Sequence, residues 1–171
     1  SGMDLNGYVA AGIRSDHECS DVDEAKEKFA RGQWIMVREG TAAHNLDALL
    51  PLFEAPYVQC IMLVTDDKHP CDLLRDGHID AIVRKAVQKG ADPVKAIKAG
   101  TYNAAVYFGL TDQGAVAPGY CADLAVLDDL TSLNVLEVYK NGELAARNGK
   151  SLVNSPVPKM DQNIQDKVYH S

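Results

Sequence analysis

A basic surplus is missing from this chain. Its 171 residues carry 17 Lys and Arg against 24 Asp and Glu, a formal net charge of −7. A general nucleic-acid binder neutralises phosphates with a basic surface, so this balance argues against one. Long apolar runs are missing as well. The strongest run is Cys60-Ile61-Met62-Leu63-Val64, far below the roughly 20 residues that cross a bilayer. No secretory signal is visible at the start, and no membrane partner is expected. Paired cysteine motifs are absent too: Cys19, Cys60, Cys71 and Cys121 are scattered without a CxxC spacing. They are read as reduced thiols of a cytoplasmic protein. A zinc quartet of His17, Cys19, His69 and Cys71 is conceivable beside the simpler reading of small buried thiols. Finally, Gly114 to Gly119 has no phosphate-loop spacing and no following Lys-Ser or Lys-Thr.

What is present is an alternation of strand-like and helix-like segments. Val9 to Arg14 reads as a short strand. Ser20-Asp21-Val22-Asp23 resembles a capped helix start, with Val22, Ala25 and Phe29 on one face. Trp34 to Val37 and Cys60 to Val64 read as buried strands. Between them a helix starts at Thr41 or Asn45, carries Leu46, Leu49, Leu50 and Phe53 at helical spacing, and ends by Pro56. Helices follow over Ile79 to Val87, from Asp92-Pro93 through Ile97, and from Thr101 to Phe108, closed by Gly109. This order predicts an α/β fold with parallel strands. After Gly114 the texture changes. Ala122 to Leu127 and Val135 to Lys140 read as strands, and Asn141-Gly142 is a hairpin turn into Glu143 to Ala146. The division expected is 1–113 for the α/β part, 114–150 for a small β-strand unit, and 151–171 for a polar, poorly ordered tail.

The polar clusters sit where the apolar strands end. Ser15-Asp16-His17-Glu18 follows the first, Arg38-Glu39-Gly40 the second, and Thr65-Asp66-Asp67-Lys68-His69-Pro70 the third. Parallel strands aim their C-terminal ends at one face, so these clusters are expected to converge. His17 suits metal ligation, but its position alone favours a hydrogen-bonded strand end. Asp66 could hold a metal and take a proton from its water, and Asp67 could contact a substrate. The same pair reads equally as a helix cap before Pro70. Arg38 and Glu39 are either an ion pair on a solvated loop or contacts to a polar ligand.

Taken together, the stretches Ala10 to Glu18, Val37 to Ala43 and Val64 to Pro70, with Gly77-His78-Ile79-Asp80, Thr101 to Ala105 and Gly114 to Leu127, resemble the amidohydrolase superfamily and within it the adenine deaminase group. The resemblance covers about residues 1 to 150. It implies strands six to eight of a (β/α)8 TIM-type barrel plus part of a small β-domain. It implies His17 and Asp66 as metal ligands, Asp66 also as general base, Asp67 as a hydrogen-bond partner of a purine base, and Glu18, Arg38 and Glu39 as walls of the pocket. The implied reaction is hydrolytic deamination of adenine to hypoxanthine and ammonia, assisted by a divalent metal: manganese, iron or zinc. The other ligands of that centre have no counterpart here. The chain is therefore expected to be an internal part of a larger enzyme, inactive alone and able to lack metal, with its open sheet edges either paired in a homo-oligomer or closed by a rearranged, more compact fold. Two rival readings stay open. One is another amidohydrolase, cytosine-deaminase-like or dihydroorotase-like. The other is a non-catalytic interaction domain.

Overall fold

The computed structural model describes residues 2–154. The chain opens with helix α1, Gly2–Ala10, which buries Leu5. This corrects the expected strand over Val9 to Arg14. Leu5 and Val9 lie four apart on one helical face, and the small residues that follow lack the β-branched bulk of a strand. Strand β1 is only Ser15–Asp16, so the first polar cluster begins inside the strand.

Helix α2, Val22–Phe29, starts as its composition suggests, with Asp21 as cap. Asp21 Oδ1 accepts the Glu24 N–H at 2.8 Å, while Glu24 Oε2 reaches back to the Ser20 N–H at 3.2 Å. Strand β2 is Trp34–Arg38. Helix α3, Leu46–Leu49, runs into two 3-10 turns, Leu50–Phe53 and Tyr57–Cys60. Strand β3 is Ile61–Val64.

Helix α4, Pro70–Asp76, lies where a helix cap before Pro70 was one reading of Asp66-Asp67, but its N-cap is His69. It starts with Pro at its first position, as the missing N–H permits, and buries no residue. Helix α5, Ile79–Gln88, buries Ile82, Val83 and Ala86; α6, Pro93–Gly100, buries Ala96 and Ala99; α7 is Tyr102–Phe108. Gly109 closes α7 at φ 70°, the left-handed position glycine reaches without a Cβ penalty.

The first three strands form one parallel sheet in the order β1-β2-β3. Register places Ile35 beside Ile61 and Val37 beside Leu63. These four point into the main core with Leu46, Leu49, Leu52, Phe53, Ile82 and Ala86. Met36 and Met62 pair on the opposite face, and Arg38 pairs with Val64 at its upper end.

Strands β4 (Leu124–Leu127), β5 (Val135–Lys140), β6 (Glu143–Arg147) and β7 (Lys150–Ser151) form a separate antiparallel sheet in sequence order. Asn141 and Gly142 both have positive φ, 51° and 81°, as a type I′ turn requires. Arg84 of α5 binds this unit to the helices, donating to the Ser132 and Leu133 carbonyls at 3.0 and 3.3 Å. The tail expected over 151–171 falls outside the described residues from 155 onward. Among the described residues no helix is long and apolar enough to cross a membrane.

Asn103, 1% exposed, anchors α7 beneath β3 by donating to the carbonyls of Val58 and Ile61, both at 2.8 Å. Asn103→Ala leaves both acceptors without this partner. It should lower the unfolding free energy by about 2 kcal/mol in urea titration.

Candidate active site at the strand ends

Three strand ends meet at one edge of the parallel sheet. His17 follows β1, Arg38 is the last residue of β2, and Asp66 stands two residues past β3. His17 Nε2 lies 3.6 Å from Asp66 Oδ1 and 3.2 Å from Glu18 Oε1. Arg38 grips Glu18 with both terminal nitrogens, at 3.0 and 2.8 Å, and faces Asp66 Oδ2 at 3.7 Å. Such a fork fixes a carboxylate in plane and direction. The Arg38 Nε–H is buried without a hydrogen-bond partner among the described residues. The His17 and Asp66 side chains keep 44% and 23% of their surface exposed, so both are open to a small molecule. Four of the expected residues, His17, Glu18, Arg38 and Asp66, thus form one constellation.

The other two expected residues both face the loop that follows β2. Asp67 accepts the backbone N–H groups of Thr41, Ala42 and Ala43 at 3.0, 3.2 and 3.5 Å. Burial pushes its carboxyl up, but these three amides outweigh it and hold the carboxyl below its usual 3.8. Glu39 is 6% exposed. Its Oε1 accepts the Leu46 N–H at 3.3 Å, and its Oε2 meets Lys85 and, at 3.3 Å, His44. Both acids therefore stabilise the 39–46 loop. Thr41 Oγ1 extends the same lattice, donating to Asp72 at 2.6 Å and accepting from the His69 N–H at 2.8 Å.

Two features of the site were not singled out from sequence. Asn45 reads as a helix start, yet its side chain makes no cap bond and instead contacts the backbone at Arg38, His17 and Cys19. Below His17, Asp16 Oδ2 accepts the N–H groups of Glu18 and Cys19 and pairs with Lys28 at 2.9 Å. Burial opposes the charge on Asp16, yet Lys28 and Cys19 draw its carboxyl below the usual value. Burial and the Asp16 carboxylate push the Cys19 thiol up to about 12, so it stays protonated at neutral pH.

Which side chains could hold a metal follows from donor chemistry. An imidazole nitrogen and a carboxylate oxygen suit manganese, iron or zinc. His17 Nε2 and Asp66 Oδ1 lie 3.6 Å apart, so the two donors could both contribute to one metal centre. Among the described residues, the one group of three or more metal-type donors is Asp16, Cys19 and Glu24. Lys28 already binds Asp16 and Glu24 there, at 2.9 and 2.6 Å, and fills the cation's role. His69 and Cys71 do not join His17 and Cys19 in any such group. All four cysteines are free thiols.

Comparison with known proteins agrees with this architecture. A sequence model described as the amidohydrolase family matches residues 5–145. An adenine deaminase of Kosmotoga olearia is 51% identical over 153 residues, covering 90% of this chain and 26% of its own length. One of Dehalococcoides mccartyi is 52% identical over 162 residues, covering 93% and 28%. One of Nitratidesulfovibrio vulgaris is 46% identical over 168 residues, covering 98% and 29%. The chain thus spans between a quarter and a third of the length of these curated relatives. Among solved structures, a β-aspartyl dipeptidase of Fervidobacterium islandicum superposes with a TM-score of 0.62 at 18% identity, over 78% of this chain and 38% of that one. At that identity the likeness concerns the fold alone.

The Asp67 lattice makes two predictions. A Cβ on Gly40 would sit 1.7 Å from Asp67 Oδ1 and 3.1 Å from the Thr65 carbonyl. Gly40→Ala should therefore lower the melting temperature and expose the 41–43 amides to hydrogen exchange, with little change in far-ultraviolet dichroism. The second concerns acid. Asp67 has a depressed carboxyl pKa in the folded state. Its stabilisation is complete above the unfolded value and fades as pH falls through the folded one. The stability gap between wild type and Asp67→Asn, measured in urea, should be open at pH 7 and close below pH 4.

Proposed function

Because the chain belongs to the amidohydrolase family, we propose that it carries part of the active site of a metal-dependent enzyme that deaminates adenine. One observation carries the reading: His17 and Asp66 approach to 3.6 Å at the C-terminal edge of a parallel sheet, with Arg38 and Glu18 beside them. Support for the substrate comes from relatives named adenine deaminase that are about half identical across nine-tenths of the chain. In this reading β1, β2 and β3 are strands six to eight of a (β/α)8 barrel, and the antiparallel sheet is part of the adjoining β-domain.

His17 and Asp66 would hold a divalent cation: manganese, iron or zinc. When bound, such an ion lowers the pKa of the water it holds, so that a strong nucleophile exists at neutral pH. The chain's own residues then have distinct tasks. Asp66 Oδ2, the oxygen turned towards Arg38, takes the proton released by water and passes it to the departing amine. The Arg38 guanidinium keeps that carboxylate oriented. Glu18, gripped by Arg38, presents an acceptor of fixed direction to an N–H of the purine ring. Asp67 and Glu39 act one step back, by holding the loop on which Arg38 ends.

The test is adenine turnover to hypoxanthine and ammonia with manganese present. It is run on this chain and on any longer protein that contains it. Asp66→Asn should reduce kcat by about 10²–10⁴-fold, the usual range for a general acid–base group, while adenine still binds. Undiminished turnover by that variant would refute the assignment. Turnover of cytosine or dihydroorotate without adenine would move the enzyme to another branch of the family.

A further inference from the structure

We infer that Asn45 is a positioning residue for this site. Its side-chain amide stands in for a missing peptide group between β1 and β2, and so fixes His17 and Arg38 relative to each other. The inference rests on the role proposed above for His17.

The argument starts from the shortness of β1. It pairs with β2 only at Ser15 beside Trp34 and Asp16 beside Ile35. On that side of β2, the Trp34 N–H donates to the Arg14 carbonyl at 2.8 Å. In a parallel strand every second N–H faces the same neighbour. The Arg38 N–H therefore looks towards the β1 side as well. No strand is left there to receive it, because the chain has turned away. Asp16 Oδ2 makes the turn by accepting the N–H groups of Glu18 and Cys19, at 3.2 and 3.1 Å. A buried N–H without an acceptor is costly.

Asn45 fills the gap. Its Oδ1 accepts the Arg38 N–H at 2.7 Å. Its Nδ2 donates to the His17 carbonyl at 3.2 Å and the Cys19 carbonyl at 3.1 Å. One face of the amide thus reads β2 and the other reads the turn after β1, as a peptide group in a sheet would. The residue is itself locked, being 6% exposed and donating its own N–H to the Arg38 carbonyl at 3.1 Å. Capping of α3 does not explain the asparagine, since the cap is supplied by Glu39 through the Leu46 N–H. Only a primary amide offers the acceptor and both donors. An aspartate keeps the acceptor, loses the donors and sets a negative charge against two carbonyl oxygens.

Asn103 provides an internal control. It too is a buried asparagine bridging two backbone carbonyls, but it does so at Val58 and Ile61, at the opposite end of the sheet. The experiment compares Asn45→Asp with Asn103→Ala on two readouts. The first is the nuclear Overhauser contact between the His17 ring and the Asp66 side chain. The second is the steady-state kinetics of adenine deamination in a longer protein carrying the chain.

Both variants should melt earlier than wild type. Only Asn45→Asp should lose the His17–Asp66 contact and lower kcat, by about 10- to 100-fold as for residues that orient metal ligands, with KM within about threefold. Equal kinetic effects in the two variants, or a retained ring contact in Asn45→Asp, would overturn the inference. If the wild type turns over no adenine, the functional reading fails, and the ring contact alone decides the positioning role. If Asn45→Asp does not fold, Asn45→Ser, which adds no charge and keeps one donor, is judged by the same criteria.

Discussion

The α/β half of this chain depends on β2 being hydrogen-bonded along both edges. It is the central strand of three. Its odd-numbered side chains, Ile35 and Val37, are fully buried under the helices. Its even-numbered ones belong to the face that ends in Arg38. A shift of β2 by one residue would exchange these sets and turn Arg38 into the core. Register here is therefore a condition for assembling the site as well as for burying apolar surface. The strand reaches its last residue with partners on both sides only because its ladder to β3 runs to the end and a side chain completes the other edge. On one edge the Glu39 N–H continues to the Val64 carbonyl. On the other a side-chain amide replaces a strand that ended too early.

Charge arrangement at the site follows a related economy. The chain has more acids than bases, and three cations near the strand ends are held against acids. Arg38 is set between Glu18 and Asp66, Lys28 between Asp16 and Glu24, and Lys85 against Glu39. Asp67 is matched by three backbone amides. The least enclosed carboxylate of the constellation is Glu18, whose side chain is 64% exposed.

Legibility in the sequence varied with the range of the interactions involved. Strands β2 and β3 and helices α5 to α7 announce themselves by periodicity and by terminal Pro and Gly, which are local signals. The Asn141-Gly142 turn is local too. A two-residue strand has no period, so β1 was displaced onto the helical Val9 region. Helix α4 buries nothing, so it left no apolar stripe to read. Within the site, the convergence of His17, Arg38 and Asp66 followed from strand ends alone. The tasks of Asp67, Glu39 and Asn45 did not. Their partners are backbone groups brought near by folding, and a backbone N–H leaves no mark in the identity of its residue.

The conformation of Asp66 has a consequence for how this site can be interrogated or altered. Its φ of 49° lies in the left-handed region, which asparagine and aspartate tolerate better than other side-chain-bearing residues. Position 66 is thereby a filter on two levels, admitting residues by backbone shape before their chemistry is expressed. Exchange for asparagine removes charge while sparing the backbone. Exchange for alanine or glutamate mixes lost chemistry with conformational cost. An evolutionary drift from aspartate to a side-chain-bearing residue other than asparagine would meet the same barrier, so loss of the acid and strain in the turn would then arrive together.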